Sequence, residues 1–242
     1  MMGDEASRAA DRPRRILHGR RRGRPLRPSR RTLLDTLLPT LEIGLPAGPE
    51  KLDPAALFPA GACRDVWLEI GFGAGEHLIA QARDAADIGF IGCEPFINGV
   101  AALLAGLEAG GGRNVRVFRD DARLLLDRLG EASIGRAFIL FPDPWPKLRH
   151  HKRRIVAAGP VAALARVLRD GAELRIATDD PDYKGWILAH VLADGAFEWC
   201  ARGPTDWRVR PADWPETRYE AKARAAGRTP SFFRFRRRLR AG

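Results

Sequence analysis

The sequence runs to 242 residues, 45% of them hydrophobic and 29% charged, a composition that suits one sizeable globular domain rather than a disordered or fibrous chain. Its three cysteines, Cys63, Cys93 and Cys200, form no CxxC pair, which argues against a zinc site and a disulfide framework and fits a reduced compartment. The longest uncharged run, residues 95–107, is 13 residues, too short to span a bilayer, and the Arg-rich beginning has no apolar signal core, so a soluble, cytoplasmic protein is expected.

Residues 1–31 carry 11 Arg against three acids and little apolar periodicity. They read as a basic arm, mobile without a ligand, ahead of a single domain over residues 32–242. A short helical pattern covers 32–41, and Pro46, Pro49, Pro54 and Pro59 then mark an extended loop. Regular structure is expected from residue 64. Strands are predicted over 66–70, 88–93, 114–118, 135–141 and 172–177, with helices over 76–84, 97–108, 122–129, 160–169 and 183–193 between or after them. Residues 197–202 and 232–238 read as closing strands. This alternation implies βαβ crossovers, hence an α/β fold with a mostly parallel seven-stranded sheet covered on both faces. Ligands in such sheets bind beyond the carboxyl ends of the strands, where the topology switches.

The charge is unevenly spread. Residues 222–242 hold eight Lys or Arg and no acid, whereas residues 32–221 hold 22 basic and 27 acidic residues, so the net charge of +11 resides at the two ends. Basic ends around a mildly acidic body suit a polyanion held by the ends and another ligand held by the body.

Gly71, Gly73 and Gly75 form a GxGxG turn between the first strand and the first helix of the regular fold. Acids stand at three successive strand ends: Glu69, Glu94 and Asp121. A nicotinamide dinucleotide needs its pyrophosphate at the helix N-terminus, as a rule with GxGxxG spacing, and carboxylates there would repel it. S-adenosyl-L-methionine has no phosphate and carries a sulfonium and an ammonium group, which acids suit. Glu69 is placed for the methionine ammonium and Glu94 for the two ribose hydroxyls. Asp121 suits the adenine amino group, with Ala122 leaving room for the ring.

FPDPWPK, residues 141–147, follows the fourth strand. Pro142 and Pro144 flank Asp143 and hold its carboxylate in a stiff loop. Trp145 is placed to stack or wall the pocket. Lys147, Arg149, Lys152, Arg153 and Arg154 follow as a basic cluster fit for phosphates. The string FPDPWPKLRHHKRR, with LEIGFGAGEHL, GCEP, ATD at 177–179 and TRYE at 217–220, resembles the bacterial tRNA (guanine-N7-)-methyltransferase family, from about residue 20 to the C-terminus.

The resemblance implies a Rossmann-like class I S-adenosylmethionine-dependent methyltransferase acting on N7 of guanine 46 in the tRNA variable loop. It assigns cofactor contacts to Glu69, Gly71, Glu94, Asp121 and Asp143, with Asp143 also catalytic. Substrate contacts fall to Lys147, Asp179, Thr217, Arg218, Tyr219 and Glu220. Pro146 stands where many members have His, and the pair Asp120–Asp121 leaves the adenine contact divided between two acids. No metal is implied, tRNA is the expected partner, and either a monomer or a homodimer is compatible.

The chemistry agrees with that assignment. Guanine N7 carries an in-plane lone pair and no proton, so no general base is needed, and the sequence offers no obvious one. Competing readings are a methyltransferase of the same fold acting on another RNA or a small molecule, and a non-catalytic RNA-binding protein. The charge split counts against a small-molecule substrate, and the intact acid set against the non-catalytic protein.

Overall fold

The computed structural model describes residues 19–110, 112 and 114–240; the first 18 residues of the expected arm lie outside them. Strands β1 (Asp65–Ile70), β2 (Ile88–Cys93), β3 (Val115–Phe118), β4 (Ile134–Leu140) and β5 (Leu168–Thr178) run parallel. Strand β7 (Ser231–Arg237) pairs antiparallel with both β5 and β6 (Phe197–Trp199), completing a seven-stranded sheet of order β3-β2-β1-β4-β5-β7-β6. The expected fold class and all seven strands are present. The chain steps outward from β1 to β3, then returns to β4 on the other side of β1, so the topology switches between β1 and β4.

Helices α3 (Glu76–Asp84), α4 (Ile97–Glu108), α5 (Ala122–Arg128), α6 (Ala158–Val167) and α7 (Pro181–Ala193) occupy the expected crossover positions. Before them come α1 (Pro28–Thr36) and α2 (Leu38–Leu41), which divide the single helix expected over 32–41. Strand alternation sorts the core. Val66, Leu68 and Ile70 face the layer with α5, α6 and α7, while α1 to α4 close over β2 and β3 on the other face. A third cluster gathers Phe138, Leu140, Ala177 and Phe232 beneath the fully buried Trp214.

Some elements depart from the sequence reading. β5 starts at Leu168 because that residue already pairs with Ile134, across a register shift before Arg136 meets Glu173. β6 stops at Trp199, short of the expected 202, where the chain turns toward α8 (Thr205–Arg208). Thr217 to Glu220, where no element is predicted, opens a helix: Thr217 caps α9 (Arg218–Ala225), its Oγ1 accepting from the Glu220 amide at 3.1 Å. Part of the expected arm is ordered against the domain. α1 starts at Pro28, the Ile97 amide donates to the Arg21 carbonyl at 3.0 Å, and the Gly23 amide to Asn98 Oδ1 at 2.8 Å.

Candidate active site

A cleft of about 390 Å³ opens at the carboxyl ends of β1 and β4, the place the switch in topology specifies. Gly71, Glu94, Asp121, Asp143 and Tyr219 line it together. The glycine turn owes its shape to close packing. Gly73 has φ +60°, and a Cβ there would stand 2.9 Å from the Tyr219 ring; a Cβ on Gly99 of α4 would stand 2.2 Å from the Gly73 carbonyl oxygen. At Gly73 the positive φ favours glycine, and at Gly99 the close approach of the Gly73 carbonyl requires it.

Glu94, 9% exposed, holds that turn in register. Its Oε2 accepts from the Gly73 amide at 2.9 Å and its Oε1 from the Phe96 amide at 2.9 Å. A carboxylate offers about four acceptor directions, so two remain for a ligand diol. Burial raises the Glu94 carboxyl above its ordinary value; the Phe96 and Gly73 amides and the Arg218 cation oppose that rise, while the Asp143 charge adds to it.

Asp121 caps α5, its Oδ1 accepting from the Arg123 amide at 2.9 Å, and it is 5% exposed. Neighbouring Asp120 also lines the cleft, held by Arg21 Nη2 at 2.6 Å. The two acids are thus fixed by different partners, and both face the same cavity.

Asp143 sits exposed at the opposite lip, in a loop bracketed by two non-glycine residues in the left-handed region, Phe141 at φ +51° and Trp145 at φ +45°. Such residues store on the order of 1–3 kcal/mol each and persist only where the surroundings hold them. The Phe141 amide donates to the Ala177 carbonyl at 2.8 Å, and Arg153 lies 4.9 Å over the Trp145 ring. Desolvation at the cleft wall raises the Asp143 carboxyl.

Residues 64–232 match the family described as putative methyltransferase. The chain is 52% identical over 227 residues to the tRNA (guanine-N(7)-)-methyltransferase of Rhodospirillum rubrum, covering 93% of this chain and 88% of that protein. It is 51% identical over 238 residues to the protein of the same name from Paramagnetospirillum magneticum, covering 98% of each. The chain belongs to the tRNA (guanine-N(7)-)-methyltransferase family. Among solved structures, a 16S rRNA (adenine(1408)-N(1))-methyltransferase variant from Catenulisporales acidiphilia superposes with a TM-score of 0.52 at 15% identity, over 82% of this chain and 98% of that one, a likeness of fold.

Several residues expected at the site stand outside the cleft lining. Glu69 is 3% exposed and its Oε2 lies 2.8 Å from His77 Nδ1. Alternation along β1 explains this, since Ile70 faces the cleft and Glu69 the other side of the sheet. Asp179 pairs with Arg228 Nε at 2.5 Å beyond the end of β5. Glu220, 1% exposed, is held by Arg224 Nη2 at 2.8 Å and Arg210 Nε at 3.3 Å, and Thr217 is engaged in its cap. Of the TRYE segment only Tyr219 lines the cavity; Arg218 lies alongside it, its guanidinium carbon 5.1 Å from the ring centre.

The basic cluster divides. Lys147, Arg149 and Lys152 are exposed and Arg153 is half-buried, whereas Arg154 has no exposed surface. Arg154 is therefore no phosphate ligand. Its Nε donates to the Pro144 carbonyl at 2.7 Å, its Nη2 pairs with Asp182 at 2.5 Å, and its guanidinium lies 4.5 Å over Trp186 and 4.9 Å over Tyr183. It anchors the Asp143 loop to α7. Arg123 and Arg20 also line the cleft: Arg20 belongs to the expected basic arm, whereas Arg123 lies in the helix expected over 122–129 and is not marked by the sequence.

Proposed function

We propose that this protein methylates N7 of guanine 46 in the variable loop of tRNA, in the cytoplasm, with S-adenosyl-L-methionine as the donor. One observation carries the reading: Glu94, Asp121 and Asp143 converge on a single cleft at the switch point, between an ordered glycine turn and a strained Pro-rich loop. The cleft holds four carboxylates, counting Asp120, and three arginines, Arg20, Arg123 and Arg153; the acids beside the glycine turn supply the acceptors that a cationic donor with a diol needs. The two acceptor directions left on Glu94 match the ribose hydroxyls, and Asp121 or Asp120 meets the adenine amino group. Bound there, S-adenosylmethionine supplies an electrophilic methyl group.

The residues of this chain supply position and charge. Guanine N7 needs no base, so alignment of donor and acceptor is the main contribution, worth about 7–11 kcal/mol in favourable systems. Asp143 accepts from guanine N1–H and the exocyclic amine, which selects guanine over adenine, and its negative charge faces the purine as that ring becomes cationic. Glu69 acts through His77 of α3, the helix that follows the glycine turn. Exposed Lys147, Arg149 and Lys152 hold phosphates beside the loop, and Tyr219 and Arg218 present a ring and a cation to the exposed base or its sugar. Thr217, Glu220 and Asp179 position that segment. The base must leave its tertiary pairing to enter, at a cost of a few kcal/mol that the phosphate contacts offset.

Incubation with labelled S-adenosylmethionine and unmodified tRNA, followed by aniline cleavage, tests this directly. Cleavage at guanine 46 is the expected result. Label elsewhere, or none, removes the assignment.

A further inference from the structure

Arg123 stands in the wall of the cleft, in the first turn of α5, and its guanidinium reaches in two directions at once. Toward the cofactor side, Nη1 meets the Asp121 carboxylate twice, at 3.0 Å to Oδ2 and 3.2 Å to Oδ1. Toward the acceptor side, Nη2 donates to the carbonyl oxygens of Arg153 at 3.2 Å and Arg154 at 3.1 Å. Those two residues grip the Asp143 loop, Arg154 through the Pro144 carbonyl at 2.7 Å and Arg153 over the Trp145 ring. One side chain, 16% exposed, thus joins the carboxylate placed for adenine to the loop placed for guanine.

We propose that Arg123 is a positioning residue that couples occupancy of the cofactor pocket to the placement of the Asp143 loop. The inference rests on the activity proposed above. A donor arriving at Asp121 takes up acceptor capacity that the Arg123 fork now uses. Because the same planar group holds 153 and 154, its response is passed to Pro144 and Trp145. Such coupling is reciprocal: the cofactor tightens RNA binding by the factor by which RNA tightens cofactor binding. Lysine cannot replace the fork, since a single ammonium does not span a carboxylate and two carbonyls in one plane.

The test is isothermal titration of the full chain with S-adenosylhomocysteine, which prevents turnover, with and without saturating unmodified tRNA. Wild-type protein should show a coupling factor within about 5–150-fold. Arg123→Met should bring the factor close to unity, and Arg123→Lys, which keeps a cation beside Asp121, should not restore it. Arg166→Met is the control for a merely structural arginine. Its guanidinium ties α6 to α5 through the Leu126 and Leu129 carbonyls at 2.6 and 2.8 Å, so its loss should lower Tm and leave the coupling intact. Full coupling in both Arg123 variants overturns the inference, as does a wild-type enzyme that methylates tRNA with no coupling at all. A wild-type protein that binds neither ligand removes the proposed activity, and this inference with it.

Discussion

On the wall built from the ends of β2 and β3, every carboxylate is tied to the protein: Glu94 to two amides, Asp121 to an amide and a guanidinium, Asp120 to Arg21. On the facing wall Asp143 is exposed and has no hydrogen-bond partner among the described residues; its placement comes from the backbone, from two prolines and two left-handed residues. The two walls reach order by different routes. Glu94 is fixed by giving up part of its acceptor capacity, which suits the proposed diol, whose hydroxyls need only the remainder; Asp121 shares its oxygens with Arg123, the capacity for which an arriving donor would compete. Asp143 keeps all of its acceptor capacity free, available to the substrate in the proposed reading, and the strain of holding it is borne by Phe141 and Trp145.

On that contrast, the largest effect belongs to the free carboxylate. Asp143→Ala should lower kcat by about 10²–10³-fold with cofactor affinity unchanged, as loss of one charge-stabilising group does elsewhere. The pH behaviour follows from the direction of the shift. A carboxyl raised by desolvation loses its charge as pH falls through that raised value, so the acid limb of kcat/KM should lie above the ordinary aspartate value of about 3.9. Stability has the opposite sense: with a folded-state pKa above the unfolded one, the ionised group costs stability, and that cost appears as pH rises through the folded value. Asp143→Asn should therefore melt no lower than wild type at neutral pH while being nearly inactive. Wild-type turnover in either variant would remove Asp143 from the chemistry.

Glu94→Ala probes the tied wall and should divide differently. It removes the two acceptors proposed for the ribose and strands the Gly73 and Phe96 amides, at about 1–3 kcal/mol for each buried donor left unmet. The expectation is a KM for S-adenosylmethionine raised roughly 10–100-fold with a lower Tm, and kcat at saturation much less changed. Glu94→Gln, which keeps one acceptor oxygen, should recover part of the affinity. Equal losses in kcat for Glu94→Ala and Asp143→Ala would mean the walls do not have separate tasks.

The legibility of these walls in the sequence tracks the range of the forces involved. Strands and crossover helices announce themselves by period, and the glycine turn by its place between them. Glu94, Asp121 and Asp143 are legible because strand-end acids follow from that same pattern. Glu69 illustrates a signal present but unused: alternation along 66–70 already puts it on the face opposite Ile70. Thr217 with Glu220 at the third helical position is the residue pair of a capping box and points to α9, although the Arg-rich run after it hides any apolar stripe. Arg154 has no local signal. In a run of cations it reads as solvated, and only Tyr183 and Trp186, brought from α7 by the tertiary fold, enclose it. The Arg123 bridge is of the same kind, since its partners lie about thirty positions further on.

The smallest expected effects belong to the arm, and they sharpen the contrast because residues 19–24 are part of the tied wall. Gly19 and Arg20 line the cleft, Arg21 bonds Asp120, and Asn98 Nδ2 donates to the Arg24 carbonyl at 2.8 Å. Residues 1–18 add four further arginines to the basic end of the sequence. Deleting 1–18 should leave cofactor affinity unchanged and flatten the dependence of log K for tRNA on log salt, by about 0.7–0.9 for each phosphate that is no longer neutralised. Deleting 1–24 should flatten it further and also weaken cofactor binding, because Asp120 then loses its cation. Two truncations with the same cofactor affinity would detach Arg21 from the cofactor wall. An unaltered salt slope in both would reduce the arm to a solubilising tail, leaving the phosphates to Lys147, Arg149, Lys152 and the basic C-terminal stretch.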